Sequence, residues 1–389
     1  MIYKLISKIF HGVMFFSNLI FFYLMYPISY LLYGNKHIWL ISEINFDARD
    51  NGYSFFKYLR KEQPCINCVY LIDKDNRNYL NVVNLGKTVK PHSLKHFLFF
   101  ISAECIISTI VHGSCPNKYI VKAFQKKKLV KGKYVNLKHG IYKDFSEMDL
   151  KSNAHLDLII CGTDPEYNYI LKTYGYDKDQ VVYTGLARFD TLDSSFTKNE
   201  ILVMPTWRRW LDPLSKNEFY STTFFKCWSE LVKMINENQL IKNGGIKIVF
   251  FVHPKMTKFL ECFKSIAPNI IFCDAQSSNL QHLINESMML ITDYSSVFFD
   301  FAYLKKPVIY YQFDENDFYG QHYKKSYFDY RVNGFGPVAT SAEQTILHLK
   351  NILAGKNDSK YLANISKTFL FMDTRNCERI FKEITRIIE

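Results

Sequence analysis

Past residue 36 the chain alternates short apolar runs with amphipathic stretches. The runs "HIWLIS" (37–42), "CVYLID" (68–73), "AECIIST" (103–109), "KYVNLKHG" (133–140), "LDLIICG" (156–162) and "VVYTG" (181–185) predict strands. Between them "DNGYSFFKYLRKE" (50–62) turns Tyr53, Phe56, Tyr58 and Leu59 toward one face, a helical spacing. "SLKHFLFFIS" and residues 164–174 also read as helices. Residues 186–199 are polar and read as a linker. The alternation then restarts with "EILVMPTW" (200–207), a helix over 218–240, "IKIVFFVHP" (246–254), "NIIFCD" (269–274), "MMLITD" (288–293) and "PVIYYQF" (307–313). Residues 341–389 read as helical. Two blocks of strand–helix alternation predict an α/β protein of two doubly wound, parallel-sheet domains, 37–197 and 198–389. Such sheets bind ligands at the carboxyl ends of their strands, so a cleft between the two domains is the expected site.

Residues 1–36 follow a different pattern. From Ile9 to Asn35 there is no formally charged residue, and "VMFFSNLIFFYLMYPISYLLY" (13–33) is almost wholly apolar or aromatic, with Lys4 and Lys8 before it and Lys36 after it. About 20 such residues suffice to cross a bilayer. Ser17, Asn18 and Pro27 interrupt a simple span. Three readings stand: a monotopic hairpin or interfacial helix, a single span, and an apolar segment docked on the protein itself. Tyrosine-rich flanks and lysines on both sides suit the membrane interface.

Composition narrows the class. Of 389 residues 48% are hydrophobic and 22% charged, which excludes a disordered chain. The formal net charge of +12 points to an anionic partner: nucleic acid, anionic lipid or a phosphorylated substrate. The nine cysteines are scattered and odd in number, which suits a reducing cytosol better than a disulfide scaffold. Cys65 and Cys68 form a CxxC without a second pair at metal-site spacing. The basic run "QKKKLVKGK" (125–133) has no nucleic-acid-binding motif beside it and reads as a solvated face or an anionic-lipid contact.

No GxGxxG follows a strand, and GxxxxGK[ST], HExxH and GxSxG are absent. Dinucleotide oxidoreductases, P-loop kinases, zincins and α/β-hydrolases are disfavoured accordingly. The DxD triplets Asp73–Asp75 and Asp177–Asp179 sit in polar turns and read as solvated. Two histidines sit at strand ends: His139, followed by Gly140, after "KYVNLK", and His253, followed by Pro254, after "IKIVFFV". Each reads either as a structural hydrogen-bonder or as a group that takes a proton or holds a phosphate. Gly140 lets a backbone approach a ligand closely. Arg188, Arg208 and Arg209 suit bidentate phosphate recognition, or equally ion pairs with Asp190 and Asp212. In "ITDYSSVFFDFAYLKKPVIYY" (291–311) a buried strand ends in Thr292, Asp293, Ser295 and Ser296 where a helix begins. The residues alone leave open whether this is a helix cap or a phosphate cradle.

These segments in this order resemble the CDP-glycerol glycerophosphotransferase family, the primases and polymerases of teichoic acids and related capsular polymers. The resemblance is carried by "LISEINFDARDNGYSFFKYLRK" (40–61), "VNLKHGI" (135–141), "TGLARFD" (184–190), "ILVMPTWR" (201–208), "FVHPK" (251–255), "LITDYSSVFFDFAYLKKPVIYYQFD" (290–314) and "SYFDYRVNGFGPV" (326–338). It implies a GT-B architecture with an acceptor-side first domain and a donor-side second domain, and association with the cytoplasmic face of the bacterial membrane. It implies a CDP-glycerol or CDP-ribitol donor, a lipid-linked acceptor, release of CMP, and no nucleic-acid partner. His139 is then the expected base. His253, Ser295, Ser296 with Thr292 and Asp293, and Arg208 are expected to hold the donor diphosphate, with Gly140 and Arg188 as further phosphate contacts. No metal ligands are expected, although a divalent cation such as Mg²⁺ is compatible with the chemistry, as is a homo-oligomer. The sequence departs from the family where Lys138 precedes His139 in place of an aromatic, and where "KKSYFDY" (324–330) replaces an expected Arg-Gly. The other readings are a GT-B glycosyltransferase using a nucleotide sugar, and a basic membrane-bound scaffold or nucleic-acid binder.

Overall fold

The computed structural model describes residues 2–117, 129–356 and 358–389, and the side chains within it except those of residues 2–9 and 11. The basic run 125–133 therefore lies partly outside the described residues. The chain forms two compact units: residues 1–141, 147–191 and 373–389 make the first, residues 142–146 and 192–372 the second.

The first unit opens with helix α1 (Ile2–Tyr33), which runs unbroken through Pro27, so the segment is one helix and not a hairpin. Gly12–Tyr33 is long and apolar enough to cross a membrane. One face packs on helix α3 (Leu94–Ser102): Phe22 is buried, Phe21 meets Phe97, Tyr33 meets Phe99, and the Ser29 hydroxyl donates to the Leu98 carbonyl at 2.6 Å. Phe16, Ile20, Leu24 and Leu31 stay open, Leu31 at 86% exposure.

The unit's sheet holds seven parallel strands: β1 (Ile38–Ser42), β2 (Cys68–Leu71), β3 (Lys87–Val89), β4 (Ala103–Ser108), β5 (Lys133–Asn136), β7 (Leu158–Cys161) and β8 (Val181–Tyr183), in the order β3-β2-β1-β4-β5-β7-β8. Every residue of β1, β2 and β7 is buried, as expected of parallel strands covered on both faces. Helix α2 (Asn51–Glu62) follows β1, and helix α4 (Asp164–Thr173) follows β7 with Thr163 as its cap and a proline in its first turn.

The second unit repeats the plan with six parallel strands: β9 (Glu200–Met204), β10 (Lys247–Val252), β11 (Ile271–Asp274), β12 (Met289–Thr292), β13 (Val308–Tyr311) and β15 (Val338–Ala339), in the order β11-β10-β9-β12-β13-β15. The intervening β6 (Asp144–Phe145) pairs antiparallel with β14 (Lys324–Lys325) in this unit. Helix α5 (Thr223–Glu237), capped by Thr222, and helix α7 (Ala342–Leu353) cover the sheet, with Trp228, Leu231, Ile235 and Leu349 in the core. Helix α6 (Phe298–Tyr303) lies between β12 and β13.

Both sheets place their first five strands in 3-2-1-4-5 order, so the strand order reverses between β1 and β4 and again between β9 and β12. Ligands of doubly wound folds bind outside the carboxyl ends at these reversals. Two doubly wound Rossmann-like units are the fold class expected from the sequence.

The observed units depart from the expected boundaries, 37–197 and 198–389: residues 1–36 and 373–389 join the first unit, and residues 142–146 and 192–197 join the second. Helix α8 (Asn376–Ile388) belongs to the first unit: Cys377, Ile380 and Ile384 join its core beside Ile41 and Phe55. Residues 186–191 are not linker either. Leu186, Ala187 and Phe189 are buried, and Asp190 accepts the backbone N–H groups of Asn376 and Cys377 at 2.9 and 2.7 Å.

Candidate active site

The carboxyl end of β1 leads into Glu43, whose buried carboxylate accepts the N–H groups of Arg49, Asp50 and Tyr53 at 2.9, 2.8 and 2.6 Å. It thereby satisfies the open N-terminus of α2. Gly52 makes this approach feasible, because a Cβ there would fall 2.8 Å from Glu43 Cγ and 2.9 Å from the Ser42 carbonyl. The fold so delivers Asp50 to the end of the sheet. Asp50 Oδ2 pairs with His139 Nδ1, and Asp50 Oδ1 accepts from Arg188 Nη1 at 2.9 Å. Arg188 Nη1 also donates to the His139 carbonyl at 2.7 Å, and the Asn51 amide bridges the Arg188 N–H (2.9 Å) and the Lys138 carbonyl (2.7 Å). Asp50 and Arg188 are sunk, while the His139 side chain is 60% exposed. Gly140 is buried behind it.

Electrostatics follow from this packing. Burial works against the charged Asp50, but His139 and Arg188 outweigh it and hold the carboxyl below its usual range. Asp50's charge raises the His139 imidazole above its ordinary 6.5, with burial and Arg188 opposing and Glu43 adding to it. Solvent at the open ring moderates the effect. Burial, then Asp50, pushes Glu43 up to about 8 against its three N–H bonds. With Asp50 accepting at Nδ1, the neutral His139 ring carries its proton there and presents Nε2 as a lone pair.

In the second unit the carboxyl ends of β9 and β12 meet through Arg208. Its guanidinium donates to Asp293 at 2.8 Å, to Asp314 at 2.8 and 3.0 Å, and to the Thr206 carbonyl at 2.7 Å. Phe224, Tyr294 and Phe318 surround it with ring centroids 4.9–5.2 Å away. Arg208 has no exposed surface. Three of the expected phosphate contacts are engaged within the protein. Arg208 is spent on two buried carboxylates. Asp293 is buried as its partner and also accepts the Thr206 and Tyr294 N–H groups. Thr292 is buried with its hydroxyl on the Met204 carbonyl at 2.6 Å. Nor does Asp293 cap the following helix, since α6 starts at Phe298 with no side-chain cap. Arg188 likewise donates to Asp50 and the His139 carbonyl.

Ser295 and Ser296 remain half-buried at the same strand end. At the end of β10, His253 Nδ1 accepts the Lys255 N–H at 3.2 Å, which leaves the neutral ring's proton on Nε2. The ring stacks on Trp207, centroids 5.8 Å apart, and Lys255 Nζ lies 3.7 Å above the same indole. His322 stands edge-on to Trp207 at 4.6 Å and accepts the Arg209 N–H at 3.0 Å through Nδ1. Burial, then Arg208, Arg209, Lys143 and Lys255, pushes His322 down to about 3, so it stays neutral at working pH. His139 and His253 thus hold opposite tautomers, with the proton of the neutral ring on Nδ1 in the first and on Nε2 in the second. Asp50, Asn51, Trp207, Lys255, Asp314 and His322 were not identified as site residues from the sequence. Of these, the strand-end position of Trp207 and the Asp50 carboxylate just ahead of α2 were the readable signals.

Asp73 pairs with Lys90 and Asp177 with Lys151, so both DxD turns are engaged at the surface. Among the described residues no cluster of three His, Cys, Asp or Glu side chains forms a metal site.

Residues 24–386 match the family described as CDP-Glycerol:Poly(glycerophosphate) glycerophosphotransferase. The chain belongs to this family. The "Minor teichoic acid biosynthesis protein GgaB" of Bacillus subtilis (strain 168) is 31% identical over 377 residues, covering 92% of the chain and 41% of that protein. The "Teichoic acid glycerol-phosphate transferase" of Staphylococcus aureus (strain NCTC 8325 / PS 47) is 24% identical over 219 residues, covering 52% of the chain and 53% of its own length. The chain therefore spans about half or less of these two relatives. The solved structure of the wall teichoic acid polymerase TagF superposes with a TM-score of 0.68 at 16% identity, covering 98% of each chain. The likeness in fold thus extends over 98% of the chain.

Proposed function

We propose that this glycerophosphotransferase moves glycerol phosphate from CDP-glycerol to the hydroxyl of a lipid-linked acceptor in teichoic acid synthesis, releasing CMP. The observation that carries the reading is the Asp50–His139 pair at the end of the first sheet, held by Arg188, in a chain of this family. His139 Nε2 takes the proton of the acceptor hydroxyl as its oxygen attacks the phosphorus bearing glycerol. The bond from that phosphorus to the bridging oxygen breaks, and CMP departs with the electron pair. Asp50 orients the imidazole and stabilises it once protonated, as a buried carboxylate does for a catalytic histidine. In the second unit, His253 Nε2–H, the Ser295 and Ser296 hydroxyls and the Lys255 ammonium supply donors and charge for the diphosphate, where phosphoryl transfer needs them most. Burial sets Arg208 apart: it anchors the strand ends that carry these groups.

The exposed apolar face of α1 supports attachment to the cytoplasmic face of the membrane, where a lipid-linked acceptor resides. The testing experiment is incubation with CDP-glycerol and CDP-ribitol separately, with acceptor, while following the nucleotide. CMP from CDP-glycerol supports the proposal; CMP from CDP-ribitol alone moves the donor to ribitol. Turnover only of a nucleotide sugar, with release of a nucleoside diphosphate, would replace the proposal by sugar transfer.

A further inference from the structure

Lys138, one residue before His139, adopts a φ of +60°, a region that side chains other than glycine, asparagine and aspartate seldom occupy. Neither its side chain nor that of Glu166 has exposed surface, and its ammonium is ion-paired with Glu166 Oε1. Glu166 Oε2 accepts the Gly162 N–H at 2.7 Å, so the carboxylate is anchored where β7 turns into α4. The Lys138 backbone is held as well: its N–H donates to Asn136 Oδ1 at 2.8 Å and its carbonyl accepts from Asn51 at 2.7 Å. Stability alone does not account for the pair, because apolar residues commonly replace a buried ion pair without loss. The proposed transfer uses neither side chain.

We infer that the buried Lys138–Glu166 pair is a positioning device for His139, pinning the left-handed turn that sets the imidazole against Asp50. Glu166 holds Lys138 from the α4 side and Asn51 holds it from the α2 side. The His139 ring therefore leaves the backbone at an angle fixed by two helices. Asp50, Arg188 and Glu43 are the titratable groups that act on that ring.

The inference rests on His139 acting as the base, yet it is testable without turnover. In the full-length protein, His139 is titrated by NMR after labelling the histidines, with His139→Gln assigning the resonance. In Lys138→Met/Glu166→Gln the Gly162 bond is retained and both charges are removed. The His139 titration then moves down from its raised value toward 6.5. In parallel, kcat for CMP release falls roughly tenfold or more while KM for CDP-glycerol holds within about twofold, the signature of lost orientation. A wild-type titration and kcat in the double variant would overturn the inference. Should that variant not fold, Glu166→Asp decides, since it keeps both charges and withdraws the carboxylate by one methylene: the same downward shift supports the device, and an unmoved titration overturns it. If the wild-type protein releases no CMP from CDP-glycerol, the functional proposal falls while the titration still decides the positioning role.

Discussion

Asp50 reaches His139 across 89 residues of sequence, and that contact sets what the imidazole does. His139→Ala is expected to lower kcat/KM by about 10²–10⁴-fold. The ring is exposed, so the melting temperature should stay near that of the wild type; near-full activity would remove the base assignment. Because the base must be neutral, kcat/KM rises with pH through the His139 pKa, which Asp50 raises. Asp50→Asn removes that charge, so the acid limb moves to lower pH while the plateau falls. A pH–rate profile with an unmoved limb would separate Asp50 from the titration. Arg208 is buried between two carboxylates. Arg208→Ala leaves Asp293 and Asp314 buried without their cation and should cost about 3–5 kcal/mol in a denaturant titration. A loss of donor binding at unchanged stability would restore it to the phosphate site. The placement of His139 and His253 after strands was legible because a strand end shows in the local apolar pattern. Asp50's partnership and Arg208's burial were not, because both depend on contacts far apart in sequence.

At the level of elements, α1 has two faces with different fates. Phe22 and Ser29 pack on the protein, whereas Phe16, Ile20, Leu24 and Leu31 face outward. Leu24→Lys/Leu31→Lys should reduce co-sedimentation with lipid vesicles and leave circular dichroism unchanged. Unchanged co-sedimentation would place membrane contact elsewhere. Most strands matched the apolar runs, since parallel strands buried on both faces read as continuous hydrophobic stretches. The edge strand β3 escaped notice because "KTV" is three residues long and only Val89 is buried. The polar look of 186–199 likewise hid the buried turn at Leu186–Phe189.

Across the whole molecule, the chain's end completes its first unit. Gly185, at φ +81°, leaves room for Asn376, where a Cβ would lie 1.8 Å from the amide oxygen. Removing residues 373–389 should therefore expose the core around Ile41 and Phe55 and make the first unit protease-sensitive while the second keeps its protection. Equal protection of both units would contradict this packing. The two-unit plan was readable from the strand–helix alternation, but the return of α8 was not, since an amphipathic helix carries no record of which sheet it covers. The proposed phosphoryl transfer from CDP-glycerol makes His139 the base. Its most direct measurement is nucleotide release on incubation with CDP-glycerol and a lipid-linked acceptor, for wild type and His139→Ala side by side. CMP is expected, with glycerol phosphate retained on the acceptor and release slowed by two or more orders of magnitude in the variant. No CMP from the wild type, or equal rates from both proteins, would contradict it.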